Sequence, residues 1–202
     1  GAIKIVDDEL LAYDYSNPNT IVYREKQKEV IAPPITGPVT EAQIAETFTA
    51  DSPTVKAIES AKSQEAFEEL LKQLVSFVGA ESDNPELAKF KKKVEGYNEA
   101  KKKVAETKPW ANEIPPVKDV RKSWTIQFSE PIAFSGMKPV TVTDIFGKSV
   151  KATVSLNNDA VIVEPLEDYE KGATYYLIIP AGFKSANGDV TTEAISVAFT
   201  PQ

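Results

Sequence analysis

The stretch "WTIQFSEPI", residues 124–132, decides the fold. Trp124, Ile126 and Phe128 alternate with Thr125, Gln127 and Ser129, so an extended chain here has one apolar face and one polar face. The same two-residue period returns downstream. In "VTVTDIFGKSV", residues 140–150, Val140 and Val142 oppose Thr141 and Thr143. Asp144 to Lys148 then makes a hairpin turn, because Gly147 accepts the positive φ such a turn demands. Val150, Ala152 and Val154 are expected to form the returning strand, with Asn157-Asn158-Asp159 as the next turn. Val161 and Val163 point inward, and Pro165 closes that strand at its edge. After Gly172, Thr174 to Ile179 is apolar on both faces and is therefore expected to be a central strand. Asn187-Gly188-Asp189 turns once more, and Ile195, Val197 and Phe199 complete the set. Roughly seven short strands with a turn every 8–12 residues predict two antiparallel sheets packed as a sandwich, or a small barrel.

Upstream of this region lies a Pro-rich joint, from Lys108-Pro109-Trp110 to Pro115-Pro116. A residue that precedes proline is pushed out of helical geometry, so the preceding helix should end near Thr107. Trp110 offers an aromatic ligand platform, although a Trp beside a linker more often plugs a packed interface.

Residues 40–108 read as helical. Thr40 and Gln43 fit a capping box, and Ser52-Pro53 fits an N-cap followed by proline in the first turn. A single helix is predicted over Ser63 to Val78, with a stripe of Phe67, Leu70, Leu71, Leu74, Val75, Phe77 and Val78. Asn84-Pro85-Glu86 opens another helix, in which Leu87, Phe90, Val94, Tyr97 and Val104 recur at heptad-like spacing and Lys101 interrupts the stripe. The triplets Lys91–Lys93 and Lys101–Lys103 share that helix with Glu86, Glu95, Glu99 and Glu106, the mixed pattern of a solvated face. A basic ridge for an anionic cell-wall polymer is the competing reading. Residues 1–39 are expected to be an extended arm with one or two short strands, packed along the domain or donated to a neighbouring module.

Composition narrows the function classes. The chain has 202 residues, a net charge of −7, no Cys and no His. Disulfides, thiolate metal sites and Cys nucleophiles are excluded, and the side chain most used for acid–base work near neutral pH is missing. Neither half is cationic, so the electrostatic footprint of a nucleic-acid binder is lacking. No apolar run reaches the roughly 20 residues that span a bilayer. The lone Met is Met137, which leads us to expect a processed or truncated product, with a signal peptide before Ala2 as the reading for the first case.

The order of β signals resembles the bacterial Ig-like modules of surface-layer and other envelope proteins. Phe128-Ser129-Glu130-Pro131, Val140 to Val150, Val161 to Leu166, Gly172 to Tyr175, Gly182 to Gly188 and Phe199-Thr200 match that family's pattern in sequence. The short "AFSGMKP" between the first two strands departs from it, and nothing before Val117 takes part. The resemblance implies an Ig-like sandwich used for spacing, anchoring or protein contact. It implies that Tyr175 sits at a corner and bonds backbone through its hydroxyl. It transfers no catalytic residue.

The expectation is therefore an α+β chain with an extended arm over residues 1–39, a helical bundle-like domain over 40–110 and an antiparallel Ig-like β-sandwich over 117–202. It is expected to be non-enzymatic, with no catalytic residue, metal or cofactor, and to lie outside the cell or at its surface. Other envelope proteins or a cell-wall polymer are the expected partners. One alternative is a carbohydrate or wall-polymer binder that stacks ligand on Tyr13, Tyr15, Tyr23 or Trp110. A hydrolase built on a carboxylate pair is another, and the turns at Asp144, Asp159 and Asp189 are weak candidates for Ca²⁺.

Overall fold

A computed structural model describes residues 3–6 and 37–202. The chain falls into two compact units, residues 1–12 with 96–202 and residues 13–95.

In the helical unit, each early helix starts where a side chain satisfies an orphan amide. The Thr40 side chain accepts from the Gln43 amide while Gln43 Oε1 accepts from the Thr40 amide, which opens α1 (Glu41–Thr47). Ser52 Oγ accepts from the Val55 amide to cap α2 (Pro53–Ser60), and Ser63 Oγ from the Ala66 amide to cap α3 (Gln64–Gln73), each without a reciprocal bond. The single helix expected over 63–78 is in fact two. Leu74 leaves helical geometry at φ −106°, ψ 15°, and α4 (Val75–Val78) follows it. The break puts Leu74 and Phe77 in the core and leaves Val75 exposed. Asn84 Oδ1 accepts from the amides of Glu86 and Leu87, which starts α5 (Pro85–Ala105). The core of this unit gathers Ile44, Phe48, Ile58, Phe67, Leu70, Leu87 and Phe90, with the Phe48 ring 5.1 Å from Phe77 and 5.8 Å from Phe90.

The β unit contains two four-stranded sheets. In one, β1 (Ile3–Val6), β3 (Trp124–Phe128), β6 (Ala160–Pro165) and β5 (Ala152–Asn157) lie in the order β1-β3-β6-β5, all antiparallel. In the other the order is β2-β8-β7-β4, from β2 (Lys108–Pro109), β8 (Ile195–Phe199), β7 (Tyr175–Ile179) and β4 (Thr141–Asp144). There β2 runs parallel to β8, and the other pairs are antiparallel. β7 is central, as its two-faced apolar sequence predicts.

The period of two decides which side chains go inside. Trp124, Ile126 and Phe128 from one sheet and Val142, Tyr175, Leu177, Ile179, Val197 and Phe199 from the other belong to a single buried cluster. Each such side chain contributes roughly 1.5–3 kcal/mol of apolar transfer energy. Trp124 and Phe199, from different sheets, have ring centroids 4.9 Å apart.

The expected hairpin after β4 is only partly formed. The Val150 amide donates to the Val142 carbonyl, and Thr143 bridges Ser149. The chain then crosses to the other sheet, where β5 pairs with β6 instead of returning along β4. Pro165 ends β6, which is a central strand flanked by β3 and β5.

The last turns of α5 pack with this unit. A Cβ added to Gly96 would lie 3.0 Å from the Phe146 carbonyl oxygen, and Thr107 Oγ1 hydrogen-bonds Ser196 Oγ at 2.7 Å. Ser196 points away from the core and is nevertheless buried. Of the arm, Ile3–Val6 is a strand in the β unit, while residues 7–36 lie outside the described residues.

Candidate functional site

Antiparallel strands deliver three connections to one end of the β unit: residues 129–140 after β3, the Asn158-Asp159 turn between β5 and β6, and residues 180–194 between β7 and β8. Backbone hydrogen bonds tie them together. The Ile132 amide donates to the Asn158 carbonyl, that of Ala133 to Lys184, that of Lys184 to Gly136 and that of Ala186 to Pro131, all between 2.8 and 3.1 Å. Asn187 Nδ2 adds a bond to Glu130 Oε1 at 2.9 Å. Gly136 is required at the crossing, because a Cβ there would lie 2.4 Å from the Lys184 carbonyl oxygen. Buried Phe128 and Phe183, 4.9 Å apart, support the loops from beneath. From this braced end Phe134, in a 3-10 turn over Phe134–Gly136, stands 88% exposed, and Val190 is 50% exposed. This end therefore presents an exposed phenyl to solvent. The only sequence sign of it was that departure at "AFSGMKP".

A depression among Phe128, Glu130, Ile132, Phe183, Ser185 and Asp189 in this end leaves about 10 Å³, room for roughly one water. It brings the carboxyl-bearing Glu130 and Asp189 to one place.

The sequence candidates scatter. Trp110 is half-buried against the β-unit core, and its amide donates to the Ser196 carbonyl, so its ring is not a free platform. Tyr13, Tyr15 and Tyr23 lie outside the described residues. Asp144 Oδ1 accepts from the amides of Phe146 and Lys148, both at 2.9 Å, and is spent on its own turn. The Asp159 carbonyl accepts from Phe128, and the Asp189 amide donates to Ser185 Oγ. Among the described residues, no three acidic side chains gather as a metal-holding group. Three of the six lysines in the basic triplets make contacts of their own. Lys91 Nζ donates to the Ala80 carbonyl, Lys93 Nζ to Ile58 at 3.2 Å, and Lys101 lies 6.0 Å from the Tyr97 ring centre.

At the opposite end of β7, Tyr175 Oη accepts the Glu170 amide at 2.7 Å, the corner bond implied by the resemblance. Next to it, Tyr169 Oη donates to the Lys122 carbonyl at 3.0 Å. Burial pushes the Tyr169 phenol up to about 12, against the opposing pull of the Trp124 side chain. Tyr175 is also raised, chiefly by burial.

Strand order, corner tyrosine and braced loops define an immunoglobulin-like module. The chain belongs to the bacterial Ig-like domain family, whose model matches residues 99–201. Similar solved structures include the N-terminal part of the bacterial S-layer protein SbsC, at 15% identity and a TM-score of 0.32 over 73% of this chain and 37% of that one. The S-layer protein rSbsC(31–844) matches at 18% identity and a TM-score of 0.32, over 73% of this chain and 21% of that one. The chain thus spans little more than a third of the first and about a fifth of the second. No curated protein matches it. Among the described residues, no helix is long and apolar enough to cross a membrane.

Proposed function

We propose that this chain is a non-catalytic module of a secreted or cell-surface bacterial protein that serves as a spacer or protein-interaction domain. The observation that carries this is the family match over residues 99–201. In our reading the two sheets close as an Ig-like sandwich. Two features support that closure: one core cluster draws on both sheets, and β3, β6 and β5 follow the B, E, D order while β8, β7 and β4 follow G, F, C. The division into an arm over 1–39, a helical domain over 40–110 and the Ig-like domain over 117–202 is part of the proposal.

Support for a structural role comes from where the polar groups are used. Asp144 holds its own turn, Glu130 braces a loop, and Arg121 Nε meets Asp168 at the surface, 2.5 Å away. The partner in this reading is another envelope protein, met at the loop end that carries Phe134.

Two measurements test it. Antibodies raised against the chain should label intact cells of the producing bacterium, and labelling only after lysis would overturn the placement. Mixed with purified peptidoglycan and centrifuged, the chain should stay in the supernatant. Retention by the pellet would instead favour wall-polymer binding.

A further inference from the structure

The first sheet of the β unit is completed by a strand from elsewhere in the chain. β1 pairs with β3 over four residues, Ile3 opposite Phe128, Lys4 opposite Gln127, Ile5 opposite Ile126 and Val6 opposite Thr125. These partners are about 120 residues apart, whereas consecutive antiparallel strands usually need only a short turn. The family match begins at residue 99, so the segment that fills the edge of β3 lies outside the matched domain. What that domain supplies before β3 goes to the other sheet, as Lys108 and Pro109 pair with β8 and Val117 bridges Pro201. Without β1, then, the flank of β3 away from β6 is an open row of amides and carbonyls beside the buried Trp124, Ile126 and Phe128. An edge of that kind pairs with an extended chain.

We propose that the β3 edge is a strand-acceptor site, and that the occupant it takes in trans is the Ile3–Val6 strand of a second copy of this chain. The exchanged strand makes the same contacts in either setting, so the free-energy difference between cis and trans pairing is small. No tight turn ties β1 to β3, since the connection between them carries the helices α1 to α5, so the chain path does not impose cis pairing as a hairpin turn would. The register specifies this occupant. A slip of one residue would set Lys4 opposite Ile126 or Phe128 in place of Gln127. The inference rests on strand pairing alone and holds whether or not the spacer reading does.

The absence of cysteine makes the test clean. One full-length chain carries Lys4→Cys and another carries Gln127→Cys, a directly opposed pair. They are mixed at high concentration in a glutathione buffer whose oxidised form supplies the oxidant. The expected result is a disulfide-linked heterodimer, about tenfold more abundant than from Lys4→Cys mixed with Thr125→Cys, where the two-residue offset of roughly 7 Å exceeds disulfide reach. A third chain with both Lys4→Cys and Gln127→Cys should close internally when dilute. If that chain closes while the in-register mixture yields no more heterodimer than the offset one, the edge serves only its own strand and the proposal fails. If the double variant does not close, β1 does not occupy the edge and the proposal fails as well.

Discussion

The Tyr175 hydroxyl accepts the Glu170 amide while its ring stacks on Phe199, with centroids 5.5 Å apart. Removing the oxygen and keeping the ring separates these contributions. Tyr175→Phe leaves a partly buried amide without its acceptor and should destabilise the β unit by about 1–2 kcal/mol in urea unfolding followed by tryptophan fluorescence. No loss would mean that the corner bond is incidental. Tyr169 answers to pH instead. Its phenol is raised by burial from 10.0 to about 12, so the folded chain holds that proton more tightly than the unfolded chain. The stability this contributes is fully present below pH 10 and is lost as pH climbs toward about 12. The urea midpoint should therefore fall across that window, and fall less steeply in Tyr169→Phe, whose remaining tyrosines supply the control.

At the scale of the element, Gly136 decides how closely two loops approach. Gly136→Ala drives a Cβ against the Lys184 carbonyl, which is backbone and cannot swing aside. The loops must part, at a cost of about 1–3 kcal/mol, and the amides of Ala133 and Lys184 should exchange with deuterium faster. Unchanged protection there would show that the crossing has slack. This element also marks the limit of what local pattern reveals. The strands around Trp124, Val142, Val161, Tyr175 and Val197 were legible because burial imposes a period of two, and the caps at Thr40 and Ser52 because orphan amides select a few side chains. The break at Leu74 has no local mark, since no glycine or proline stands there. The crossing of β5 to the far sheet and the docking of β1 on β3 are choices of partner, and alternation along one strand says nothing about which strand lies beside it. Phe134 was missed for a related reason: an aromatic residue in a short loop reads the same whether it tucks under or stands out.

For the whole molecule, α5 poses the main energetic question. It runs unbroken from Pro85 to Ala105, contributing its first half to one compact unit and its last turns to the other. Each unit nevertheless has a core of its own, centred on fully buried Phe67 in the first and Leu177 in the second. Both tryptophans, Trp110 and Trp124, lie in the β unit, so tryptophan fluorescence follows that unit alone, while ellipticity at 222 nm follows chiefly the helices. Phe67→Ala removes a large ring from a closed core and should cost about 3–5 kcal/mol. For a unit of this size, that is a drop on the order of 10 °C or more in the helical melting transition. If the two cores are energetically separate, the fluorescence transition stays where it is in the parent chain. A joint shift of both signals would mean that the shared helix fuses them into one cooperative unit. A helix can transmit unfolding only if melting its first half strips contacts from its second. The second half is held by the close approach of Gly96 to Phe146, and the residues just past its end by the Thr107–Ser196 hydroxyl pair, so the expected outcome is two separate transitions.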